Sequence, residues 1–248
     1  MPPTPPTEWP FPKFNIRVED LEHRGAVLFF EHIQPLDALR KAVLASFEWL
    51  YATPANAPTN VKLIQLVLRP MDGVAYTFGS ASEKEIHFSL DHIANSASRA
   101  RDEIMGVLVH EVVHCYQYNA NGTAPGGLVE GVADFVRLHA GLAPPHWRRA
   151  PAPKDKWDAG YQTTAYFLDW IEERRGKGAI RALNDTMRDT DYDEKIFVIL
   201  AGEPVRDLWR RYKKELGVED GEDEVTEQAK DGDSDGFVLV PSYNPVYI

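Results

Sequence analysis

Apolar residues fall at Leu36, Leu39, Val43, Phe47 and Leu50, the three- and four-residue spacing of one helical face. Residues 36–51 are therefore expected to form a helix, with Pro35 suited to its first turn. Ahead of it, Phe14-Asn15-Ile16-Arg17-Val18 alternates apolar and polar positions and reads as a first strand. Residues 53–59 hold two prolines and an asparagine and read as a loop. Three strand-like runs follow at 61–68, 74–78 and 85–90. Pro70-Met71-Asp72-Gly73 supplies turn chemistry between the first two, and residues 79–84 do so between the second and third.

Beyond residue 90 the pattern turns helical. Ile104-Met105-Gly106-Val107-Leu108-Val109 is a continuous apolar run, expected at the centre of a buried helix over 98–119. Ser96 or Ser98 is its expected cap, and Asn121-Gly122 its stop. A second helix is expected over 127–140, ended by Gly141 and then Pro144-Pro145. Further helices are expected near 157–175, 179–189, 194–201 and 204–216, with no internal repeat. The class is α+β: a small twisted N-terminal sheet covers the 98–119 helix, and a mainly helical C-terminal part closes a cleft.

Composition marks off the two ends. Residues 1–12 are a proline-rich arm, 13–217 the folded body, and 218–248 an acidic linker with an apolar tail. The formal net charge is −11, yet between Glu219 and Asp235 nine acidic residues face only Lys230, so the body is nearly balanced. An acidic chain of this kind excludes nucleic acid as a partner. The last twelve residues, from Phe237, are apolar for a tail. They are expected to dock on the body as an extended segment; the sharper alternative is a partner's groove or the chain's own cleft. No stretch approaches the roughly 20 apolar residues of a membrane span. Cys115 is the lone cysteine, so no internal disulfide forms, and it reads as a small buried residue rather than a ligand. No secretory signal is visible, which tips the expectation toward a cytoplasmic over a secreted location. A monomer is expected.

Inside the 98–119 helix stands His110-Glu111-Val112-Val113-His114. Two histidines four residues apart on a helix lie on one face, where one metal ion can take both. A hydrolytic zinc site needs a third protein ligand and an open position for water. Sixteen residues beyond His114, Glu130 and Asp134 are again four apart on a helix. Glu130 is favoured as the third ligand. Asp134 then accepts the remaining N–H of a liganding histidine and fixes its tautomer. Gly126, Gly127, Gly131 and Ala133 are expected to let this helix pack closely on the first. Glu111 stands beside the metal pair as general base toward a water. For the oxyanion, Tyr161 is the first choice of donor, with Gly160 before it suggesting a close backbone approach, and Tyr166 the second. Histidines 23, 32, 87, 92, 139 and 146 have no matching spacing and are assigned to surface or satisfied interior positions.

The longer motifs carry a family resemblance. They are Met71-Asp72-Gly73-Val74-Ala75-Tyr76, the run His110 to Gln117, Leu128-Val129-Glu130-Gly131-Val132-Ala133-Asp134-Phe135-Val136-Arg137, and Trp157 to Leu168. Together they resemble the plant basic secretory protein family, peptidases of plants, bacteria and fungi with a zincin-like fold. The resemblance spans about residues 14–216 and implies a zincin-like peptidase domain over 13–217. It further implies a zinc-dependent peptidase with one zinc ion, His110, His114 and Glu130 as ligands, Glu111 as base and Asp134 behind the ligands. Peptide or protein is the implied substrate. In zincins the sheet's edge strand pairs with substrate backbone, and Val74 to Gly79 is the candidate strand. The chain departs from the family name in being acidic and lacking a visible signal. The rival reading is a catalytically silent zinc-containing protein of the same fold that binds peptides or cell-wall material. A hydrolase of non-peptide amides uses the same chemistry.

Overall fold

The computed structural model describes residues 7–219. The acidic run beyond Glu219, the apolar tail and the first six residues lie outside the described residues. Of the proline-rich arm, Trp9 is described, and it stacks on Phe47 with ring centroids 5.4 Å apart.

Four strands form one mixed sheet: β1 (Lys13–Val18), β2 (Leu63–Arg69), β3 (Ala75–Gly79) and β4 (Glu83–Ser89). Their order is β1-β2-β4-β3. β1 pairs with β2 in parallel, Phe14 opposite Ile64, and β2 pairs with β4 in parallel, Leu66 opposite Ile86. β3 runs antiparallel to β4, Ala75 opposite Phe88, and forms a sheet edge. Parallel neighbours need a crossover, and α1 (Arg24–His32) and α2 (Pro35–Leu50) supply it between β1 and β2. β2 lies inside the sheet, so Leu66, Val67 and Leu68 are all buried and its alternation breaks down there.

α3 (Leu90–Asn95) leads into α4 (Ala100–Tyr116), the central helix. α2, α5 (Gly126–His139) and β3 all pack on α4. It is apolar nearly all round because it is enclosed: Ile104, Leu108, Val112 and Val113 are fully buried. α6 (Tyr161–Arg175), α7 (Ala179–Thr186), α8 (Ile196–Ala201) and α9 (Val205–Glu215) complete the helical part. The whole is α+β, as expected, and no described helix is long and apolar enough to cross a membrane.

Several boundaries differ from expectation. α1 was not anticipated, because Ala26-Val27-Leu28-Phe29-Phe30 is a solid apolar run with no helical period. α4 carries no side-chain cap at its start, so neither Ser96 nor Ser98 plays that part. It ends three residues early, where Gln117 turns to extended backbone. α6 starts at Tyr161 rather than 157, because Gly160 adopts a positive φ of 91° that breaks the helix. The small residues of α5 serve a different neighbour from the one expected. A Cβ on Gly127 would lie 1.7 Å from the Asp158 carbonyl oxygen, and one on Gly131 would lie 2.2 Å from Thr164. Both glycines thus admit α6 and the loop before it, not α4; among the described residues nothing lies within 4 Å of a Cβ placed on Gly126.

α1 packs on the start of α3 through Gly25, where a Cβ would lie 2.0 Å from the main-chain oxygen of Leu90. Backbone cannot yield as a side-chain tip can. Gly25→Ala is expected to destabilise the fold by about 2–3 kcal/mol, read as a lower urea midpoint at unchanged slope.

Candidate metal centre

α4 and α5 meet with their polar chemistry between them. His110 Nε2 lies 3.1 Å from His114 Nε2 and 3.1 Å from Glu130 Oε2, and His114 Nε2 lies 3.6 Å from that same oxygen. Zinc bonds of roughly 2.0–2.1 Å in tetrahedral geometry set ligand atoms about 3.3–3.4 Å apart. The three atoms therefore mark three corners around one point, and the trio could hold a metal ion. Lone-pair atoms converging in a buried site repel one another, and a cation at their centre converts that repulsion into attraction.

Both imidazoles are anchored through their other nitrogen. His110 Nδ1 lies 2.7 Å from Asp134 Oδ1, so Nδ1–H donates to the carboxylate and Nε2 faces Glu130. Burial works to lower the His110 pKa, but the Asp134 carboxylate overcomes it and raises the group to about 10. A cation at this point would take the place of that proton. His114 Nδ1 lies 2.7 Å from the Gln117 amide nitrogen, while Gln117 Oε1 is buried with no partner among the described residues. Turning the amide over brings Oε1 to Nδ1–H and satisfies both atoms. With a cation at that point, both histidines would offer it an Nε2 freed of its proton. Glu130 is pushed up by burial, yet hydrogen bonds from His110 and His114 outweigh this and hold its carboxyl below the usual range.

Glu111 is fully buried. Its Oε2 lies 2.6 Å from Thr77 Oγ1, which donates to it from the edge strand β3. Its Oε1 has no partner among the described residues. Burial raises its pKa, only partly offset by His110 and His114. Tyr161 stacks beside His110, ring centroids 6.2 Å apart, on strained backbone with a φ of 45°. Burial, with Glu130 and Asp134 nearby, raises its hydroxyl to about 12. Tyr166 instead faces Trp147 at 6.3 Å. Cys115 is buried, its sulfur 3.7 Å from the Glu111 carbonyl, and burial raises its thiol pKa.

The six residues singled out from the sequence thus gather at one place, but three neighbours escaped that reading. Gln117, three residues beyond His114, was legible from spacing. Thr77 and Arg137 were not, because only the β3–α4 and α4–α5 packing brings them in.

A family model described as "Peptidase of plants and bacteria", BSP, matches residues 11–212. The chain belongs to this family. The match covers both helices of the BSP site and the strand that carries Thr77. No curated protein matches this BSP chain. Among solved structures, a mutant M1 zinc metallopeptidase from Deinococcus radiodurans is similar at a TM-score of 0.45 and 13% identity. The alignment covers 73% of this chain and 45% of that one, so this chain spans less than half of that protein's length.

A charged cluster adjoins the site. Glu103 accepts from His92 Nε2 at 3.2 Å and Arg137 Nη2 at 3.4 Å, and pairs with Arg99. Burial raises the Glu103 carboxyl, but the His92 hydrogen bond and the Arg137 and Arg99 charges outweigh this and bring it down to about 2. A depressed folded pKa stabilises above the unfolded value and is lost as pH falls through the folded one. Glu103→Gln should therefore cost on the order of 2–3 kcal/mol at pH 7. The gap to wild type should close between about pH 5 and pH 2 in denaturant melts.

Proposed function

We propose that this chain is a zinc-dependent peptidase of zincin-like fold that hydrolyses peptide bonds. The observation that carries this reading is the meeting of His110, His114 and Glu130 around one point, with the buried Glu111 carboxylate beside it. His110, His114 and Glu130 would hold the zinc. Bound there, zinc supplies Lewis acidity, polarising the substrate carbonyl and easing deprotonation of water.

The remaining work belongs to side chains. Glu111 takes a proton from the attacking water at Oε1, its free oxygen, while Thr77 holds Oε2 still. Burial raises the Glu111 pKa, which makes its carboxylate a better proton acceptor before it returns the proton to the leaving amine. The Tyr161 hydroxyl, raised to about 12, stays protonated and donates to the developing oxyanion. Asp134 and Gln117 keep the two imidazoles in the tautomer that offers Nε2. Among the described residues no strand pairs with the outer side of β3, so substrate backbone can add to the sheet there as a further strand. Such pairing reads main chain and suits peptides of varied sequence.

Glu111→Gln is expected to lower casein or peptide cleavage by about 10³-fold or more while the protein still carries one zinc by elemental analysis. Zinc-loaded wild type that cleaves nothing would favour the silent binding protein instead. Asp134→Asn and Gln117→Leu should each weaken zinc binding by about 10–100-fold in competition with a chelator. Unchanged affinity would mean that neither side chain supports a liganding histidine.

A further inference from the structure

A cavity of about 340 Å³ opens against His110 and Tyr161. Val74, Val107 and Trp147 give it apolar walls, and Arg137 from α5 reaches into its lining. Arg137 is buried, 7% exposed. Its Nε donates to the Leu142 carbonyl at 3.2 Å and its Nη2 to Glu103 at 3.4 Å. Its guanidinium lies 5.3 Å from the Trp147 ring centre. Its Nη1 makes no hydrogen bond among the described residues. The chain makes room for this group with a glycine inside the central helix: a Cβ on Gly106 would lie 2.6 Å from Arg137 Nε.

The two carboxylates of the lining are already engaged. Glu103 is held by His92, Arg99 and Arg137, and Asp134 by His110. Arg137 is then the lining group that offers a donor with positive charge, beside the side chains of Tyr161, Gln162, His92 and His146. A carboxylate entering it meets Nη1 with a charge-assisted hydrogen bond. An aliphatic side chain covers Nη1 without giving it an acceptor, and a lysine brings like charge to a buried guanidinium.

We propose that this cavity receives the substrate side chain next to the cleaved bond, and that Arg137 makes it select aspartate or glutamate. The proposal rests on the peptidase reading above. It adds a side-chain preference to a strand-pairing mode that by itself reads only backbone.

The test is digestion of an unbiased peptide library by zinc-loaded protein, with cleavage sites mapped by mass spectrometry. Aspartate and glutamate should be enriched over lysine by about 100-fold at one of the two positions flanking the cleaved bond. Arg137→Met should abolish that enrichment. Gly106→Ala, whose new methyl group displaces the guanidinium, should reduce it, and decides the matter if Arg137→Met fails to fold. Cleavage without acidic enrichment, or enrichment that survives these substitutions, overturns the pocket and leaves the peptidase reading standing. Absence of all cleavage overturns the peptidase reading instead. The pocket is then judged by calorimetry on zinc-loaded Glu111→Gln protein. A blocked tripeptide with central glutamate should bind at least about tenfold tighter than one with central lysine, and equal affinities would overturn it.

Discussion

Charge buried between two helices is the constraint on which this structure turns. His110, Glu111 and Asp134 are 1%, 0% and 2% exposed, and Glu130 and His114 stand against them. Ionisable groups out of water are costly unless paired and hydrogen-bonded. Each of these side chains consequently has a neighbour that holds it: Asp134 for His110, Thr77 for Glu111, Gln117 for His114. Glu111 Oε1 stands apart, a buried carboxylate oxygen without a partner among the described residues.

Such close pairing requires that the elements approach one another closely, and glycines decide where they can. Gly127 and Gly131 let the chain around Gly160 and Thr164 lie directly on α5, beside Glu130. That contact carries Tyr161 to the side of His110 on a left-handed backbone that a tyrosine adopts only under constraint. On α4, Gly106 clears space for the Arg137 guanidinium. A glycine inside a helix is unfavourable by roughly 0.5–1 kcal/mol relative to alanine. Its presence in both central helices ties local helix stability to the geometry of the site.

The sheet contributes both core residues, from β2 and β4, and an edge, at β3. β2 and β4 are shielded by neighbours, whereas among the described residues β3 pairs on one side only. Its Thr77 faces α4 and touches Glu111, so the strand at the sheet edge also holds the carboxylate beside the candidate metal point. Two polar networks therefore border His110. One runs from β3 through Glu111, and the other joins Glu103, His92 and Arg137 across α3, α4 and α5.

Local pattern determined much of this protein. The four-residue spacings of His110 with His114 and of Glu130 with Asp134 place side chains on common helix faces whatever surrounds them. The alternation in β1 and the punctuation at Gly141 and Pro144-Pro145 depend on backbone chemistry in the same way. What depended on partners far along the chain stayed hidden. α1 shows no amphipathic period in its sequence because apolar residues also occupy its exposed positions, Val27 and Phe30, while Ala26, Leu28 and Phe29 are buried. The glycines of α5 could be read as close-packing positions, but not for which neighbour. Thr77 lies 34 residues from Glu111, as does Glu103 from Arg137. Periodicity carries no information at that range. Sequence fixes which face of a helix a side chain occupies; only the packing of α4, α5, α6 and β3 decides which faces meet.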